Sequence, residues 1–169
     1  CEQLFKQLQE IHQLKDHDYL LLRAAAILHE VGGFIHAKSH HKHSMYIIMH
    51  SEVFGLSQND VNIIALVSRY HRNSPPKPSH SIYRNLTTSD QIRVSKLAAI
   101  LRVADALDRT HSGRIGEVKL ALKGRKLELT LEGVLDASVE RLAMKSKGDL
   151  MQDLFGLEIV LLESQTNQD

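Results

Sequence analysis

The period of the apolar pattern changes once along this chain, at about Ser112–Gly113, and that change limits the fold more than any other feature. Before it, apolar residues return every three or four positions; after it, they alternate. A helix puts residues three and four apart on one face, and a strand puts every second residue there. The chain of 169 residues therefore reads as mainly α. We expect a helical bundle over residues 1–112, followed by a small ββαβ (α+β) unit over residues 113–169.

Five helices fill the first part. Leu4, Phe5, Leu8, Ile11 and Leu14 form one face of an opening helix. Asp16 and Asp18 can cap a second helix over 19–31, apolar nearly all round and so expected to be buried, which Gly32 and Gly33 end. A third is expected over 44–53, with Met45, Ile48 and Met49 on one face. Ser57 with Asp60 three residues on resembles a capping box and opens a fourth, over 58–72. The prolines of NSPPKPSH forbid helix there. Thr88 or Ser89 then caps a fifth over 90–110. In the tail, EVKLAL and KLELTLE alternate around a KGR turn, which reads as a hairpin. DASVERLAMKSKGDLMQDLFG is helical, with Asp136 as cap and a break at Gly148, and LEIVLLES is a last strand.

Charge narrows the function. Residues 1–112 hold 13 Lys and Arg against 10 Asp and Glu, and residues 113–169 hold 8 against 10. Neither part carries the basic excess of a nucleic-acid binder, and no specific nucleic acid is expected as partner. No stretch approaches the roughly 18 apolar residues of a membrane span, and no signal peptide is visible. A single cysteine, Cys1, fits a reducing compartment, so we expect a cytoplasmic protein. The first residue is Cys rather than Met and already reads as helix, hence the expectation of a piece of a longer protein.

Chemistry concentrates in AAAILHEVGGFIHAKSHHKHS, where five of the eleven histidines fall. His29 and Glu30 end the apolar second helix, and Asp105 lies inside the apolar fifth. A carboxylate is costly to bury unless paired or bound to a cation. Arg102 and Arg109, three before and four after Asp105, offer an intrahelical ion pair as one explanation, and a metal is the other. His71 is a further inward candidate. The stretch His40, His41, Lys42, His43 reads as a loop. With Arg69, His71 and Arg72 at a helix end, it is suited to holding phosphates by charge-assisted hydrogen bonds. Histidines titrate near pH 6.5, so such binding would strengthen as pH falls.

In order and spacing, AAAILHEVG, HHKHS, IIALVSRYHR and LAAILRVADALDRTH resemble the HD-type helical domain. More narrowly, they resemble its version in the C-terminal half of the exopolyphosphatase / guanosine pentaphosphate phosphatase (Ppx/GppA) family. The resemblance covers about residues 1–112, and the ββαβ tail agrees in kind. It implies a divalent-metal set in which the His-Asp pair falls on His29 and Glu30 and the later Asp on Asp105. A first His is expected upstream of this chain, and Glu stands where the family has Asp. In the parent enzymes it implies an N-terminal actin-like phosphatase part using Mg²⁺ or another divalent metal, a cleft for polyphosphate or pppGpp, and a homodimer. No catalytic residue is expected within this chain. Its role would be to extend the polyanion channel as part of a hydrolase. The alternatives are a stand-alone HD-type metal-dependent phosphohydrolase and a non-enzymatic nucleotide-sensing or partner-binding module.

Overall fold

The structure, a computed structural model, describes residues 1–72 and 74–164; the polar end at 165–169 and Asn73 of the proline segment lie outside the described residues. It is mainly helical with one three-stranded sheet. Helices α1 (Glu2–Gln7), α2 (Gln9–His12), α3 (Asp16–Leu28), α4 (His40–Met49), α5 (Gln58–Arg69), α6 (Ser81–Arg84) and α7 (Thr88–Leu107) precede the strands. Then come β1 (Val118–Lys123), β2 (Lys126–Glu132), α8 (Ser138–Lys147), α9 (Asp149–Phe155) and β3 (Glu158–Ser164).

The centre is built from α3, α5 and α7. Leu21, Leu22 and Ala25 of α3, Ile63, Ile64 and Val67 of α5, and Leu97, Leu101 and Ala98 of α7 are all buried in one cluster. Helix starts follow local chemistry. Ser57 Oγ accepts the Asp60 N–H (3.2 Å) while Asp60 Oδ2 accepts the Ser57 N–H (3.1 Å), the expected capping box. Asp18 Oδ2 accepts the Lys15 N–H (2.9 Å), and its Oδ1 meets Arg93 Nε at 2.6 Å.

Several expectations are corrected. The opening helix is broken at Leu8 into α1 and α2, and Gln13, at φ 53, ends the second in the left-handed region. Helix α7 is capped by Thr87, whose side chain accepts the Asp90 N–H, rather than by Thr88 or Ser89. Helix α3 is not buried all round: Ile27 is 77% exposed, and beyond the helix Phe34 is 98% exposed. Apolar sequence on every side says only that burial is allowed; the number of neighbours decides which sides receive it. Finally, His40–His43 is no loop. It is the first turn of α4, which starts four residues earlier than the apolar period indicates.

Gly32 explains that placement. A Cβ on it would lie 2.3 Å from the His40 carbonyl oxygen and 2.3 Å from the Ser44 nitrogen, so only glycine lets α4 cross this close. Ser44 completes the joint, its hydroxyl donating to the His29 carbonyl (2.7 Å) and accepting the Gly32 N–H (2.9 Å).

In the tail, β2 is central, antiparallel to β1 and parallel to β3. Gly124, at φ +60, makes the hairpin turn. Leu127, Leu129 and Leu131 alternate inward, and α8 and α9 pack on α7, so the apolar core runs from bundle to tail without interruption. On the other side of β1, the Gln3 amide donates to the Gly116 carbonyl (2.9 Å) and accepts the Val118 N–H (2.8 Å). Gln7 does the same with the Val118 carbonyl (2.7 Å) and the Leu120 N–H (3.0 Å).

Candidate functional site

His29 closes α3 and Asp105 lies in the last turn of α7, and the crossing of the two helices brings them together. One ligand atom each of His29, Glu30 and Asp105 lies within 4.8 Å of the other two. His29 Nδ1–H donates to the Ala26 carbonyl (2.8 Å), which leaves its buried Nε2 as a lone pair with no partner among the described residues. Burial lowers its pKa. Glu30 is exposed and faces the His111 ring at 3.6 Å.

The intrahelical pair is not what Asp105 makes. Its Oδ2 is met by the ammonium of Lys147, the last residue of α8, with both side chains almost wholly buried. Arg102, fully buried, turns the other way, its Nη2 reaching Asp149 Oδ1 (2.8 Å) and the Ser146 carbonyl (3.1 Å). Burial, with Arg102 and Arg72 nearby, lowers Lys147 to about 8, which still leaves it charged at pH 7 beside Asp105. The three-residue set is compact enough for an ion, but its buried carboxylate already has a cation. Any divalent ion here would have to share that carboxylate with an ammonium.

Asp105 and Lys147 form one wall of a polar cleft of about 350 Å³, whose other lining includes Glu30, His40, His71, Arg72 and Arg109. His71 Nδ1–H donates to the Ser68 carbonyl (2.5 Å) and His40 Nδ1–H to the Ala37 carbonyl (2.8 Å). Their Nε2 atoms face each other at 2.9 Å, with the rings stacked. Two lone pairs at that distance require one shared proton or a donor from outside. Burial pushes His71 down to about 2, and burial with Arg72 pushes His41 down to about 4. These two histidines therefore stay neutral between pH 8 and pH 6, against the expectation that all would gain charge.

Of the seven residues expected to hold phosphate, the cleft takes His40, His71 and Arg72. Arg72 is anchored by donating to the Lys38 carbonyl (2.8 Å). His41 sits beside Arg72 and Arg69, its Nδ1 buried and without a partner among the described residues. Lys42 is exposed, and His43 lies near His36, their ring centroids 6.5 Å apart. Arg69 belongs to a different cavity, with Met45 and His80.

A family model described as Ppx/GppA phosphatase, domain III, matches residues 1–151. The chain belongs to this family. Among its relatives, the guanosine-5'-triphosphate,3'-diphosphate pyrophosphatase of Pseudoalteromonas translucida (strain TAC 125) is 32% identical over 113 residues, covering 66% of this chain and 22% of that protein. The protein of the same name from Pseudoalteromonas atlantica is 39% identical over 106 residues (59% and 21%). A third, from Vibrio cholerae serotype O1, is 30% identical over 117 residues (68% and 22%). The chain thus spans about a fifth of the length of the curated relatives it matches.

In this Ppx/GppA domain the residues that sequence reasoning missed are Lys147 and Asp149, while Arg109, read there only as an ion-pair candidate for Asp105, lines the cleft. One signal was available: KSKGD places two cations and an acid around the glycine that separates two helices, where the chain must turn back onto the bundle. Among the described residues no helix is long and apolar enough to cross a membrane.

Proposed function

We propose that this chain is the helical part of a Ppx/GppA hydrolase that holds a linear phosphoanhydride, polyphosphate or pppGpp, and extends the channel leading to a catalytic actin-like part of the same protein. The observation that carries this reading is the cleft, where Lys147 balances Asp105 so that Arg72 and Arg109 outweigh Glu30. His40 and His71 add hydrogen-bonding capacity, Lys42 and Arg69 add positive charge to the approach, and His41 and His43 of the same helical turn add imidazole nitrogens. The names of the relatives support pppGpp as one occupant. Mg²⁺ or another divalent metal would serve the catalytic part. Exposed Ile27, Phe34 and Ile35 suit contact with that part or with a second copy in a homodimer. The single cysteine suits a cytoplasmic setting. We keep the division at residues 112 and 113 as a boundary between an HD-like bundle and its appendage.

The test is a polyphosphate titration at two salt concentrations. Replacing Arg72 by Ala removes one charge-assisted contact, so affinity should fall about tenfold and its salt dependence should weaken. Unchanged affinity in Arg72→Ala would remove the cleft from the reading. The chain alone should hydrolyse neither substrate. A stand-alone HD-type phosphohydrolase is favoured by one observation, the meeting of His29, Glu30 and Asp105. Metal-dependent turnover abolished by His29→Ala would put that reading in place of ours.

A further inference from the structure

The meeting of His29, Glu30 and Asp105 poses a charge problem that the structure solves without a metal. Asp105 is 7% exposed and sits among the apolar Val103, Ala104, Ala106 and Leu107 of α7. A carboxylate so placed needs a cation. The nearest arginine on its own helix, Arg102, is committed to Asp149 and the Ser146 carbonyl. What reaches Asp105 is Lys147, from a helix that belongs to the other half of the chain, and Lys147 is itself 7% exposed. Two further cations, Arg72 and Arg109, line the same cleft. Glu30, the remaining carboxylate of the set, is exposed and faces His111.

We propose that Lys147 is the resident cation of this site: its ammonium holds the Asp105 carboxylate that a divalent ion bound by His29, Glu30 and Asp105 would need. The site is then closed to metals and works as a joint fastening the β-containing tail to the bundle. The phosphoanhydride reading uses the same Lys147–Asp105 pair, but this test involves no polyanion, so the two can fail separately.

A divalent ion and an ammonium compete for one carboxylate oxygen, so removing the ammonium should open the site. The chain would be stripped with chelator and titrated with Mn²⁺ by calorimetry, with metal content measured after dialysis. His29→Ala separates this site from the other histidines, which can bind metal adventitiously. Wild type should hold no ion whose binding depends on His29. Lys147→Met should gain one ion per chain at least tenfold more tightly than wild type, and Lys147→Met with His29→Ala should lose it. Lys147→Arg keeps the charge and should remain metal-free. A stoichiometric, His29-dependent ion in the wild type would overturn the proposal whatever the variants do. So would a folded Lys147→Met, verified by circular dichroism, that binds no better than wild type.

Discussion

Arg102 offers the sharpest test of how the tail is held. Its side chain is fully buried, while its partner Asp149 is 47% exposed; they meet at 2.8 Å. Nε and Nη1 of the guanidinium are buried without partners among the described residues. Asp149→Ala would leave a buried charge with only the Ser146 carbonyl as hydrogen-bond partner and Asp153 as a countercharge out of contact. Breaking a fully buried pair costs about 3–5 kcal/mol, and an exposed pair is worth about 0–1. With one partner buried and the other half in water, the loss should be about 2–3 kcal/mol. At a urea slope of about 2 kcal/mol/M, the unfolding midpoint should fall by about 1 M. Arg102→Met replaces the guanidinium by an unbranched apolar chain of similar reach and removes the charge that Asp149 compensates. Adding Arg102→Met to Asp149→Ala should therefore recover stability, a coupling of the sign expected for a buried charge. Purely additive losses, or a double variant less stable than either single one, would refute the claim that desolvation of Arg102 dominates.

Other outcomes follow from single residues. His71 is buried and its pKa is pushed down to about 2, so the unfolded chain takes up its proton first. The stability this gives is complete above about pH 6.5 and is lost as pH falls; at pH 5 the loss is about 2 kcal/mol, from 1.36 kcal/mol per unit. His71→Asn keeps a donor for the Ser68 carbonyl and cannot titrate, so denaturation at pH 8 and pH 5 should show a correspondingly smaller drop. Gly32→Ala puts a methyl 2.3 Å from two backbone atoms of α4 and should destabilise by about 3 kcal/mol. A wild-type urea midpoint for that variant would contradict the close crossing. The change in polyphosphate affinity between pH 8 and pH 6 should be the same in a His41→Asn variant as in the wild type, since that histidine is already neutral over the range.

Much of this was legible in the sequence because it is local. The Ser57–Asp60 box, the glycine turn of the hairpin and the break at Gly148 each follow from a few consecutive residues. The meeting of His29, Glu30 and Asp105 was legible through resemblance, since polar residues on two apolar helices need company. Lys147 was not. Its neighbours are polar, and periodicity identifies an apolar face without saying which lysine on its margin is drawn inside. The His40 turn was missed because it has no apolar period and no side-chain cap, Ser39 making no capping bond. What places it is Gly32, whose demand is for closeness to a helix that starts eight residues later.

The two glutamines of α1 show how a helix can stand in for a strand. Residues four apart on a helix are separated by about 6 Å along its axis, and residues two apart on a strand by about 6.6–6.8 Å. Gln3 and Gln7 therefore fall nearly in step with Val118 and Leu120, and each carboxamide offers one donor and one acceptor, as a peptide unit does. The outer edge of β1 meets a ladder made of side chains from Gly116 to Leu120, and the hydrogen-bonding groups it covers are spent before another polypeptide can reach them. Open sheet edges template aggregation, so the first helix of the chain acts as a guard for a sheet more than a hundred residues away.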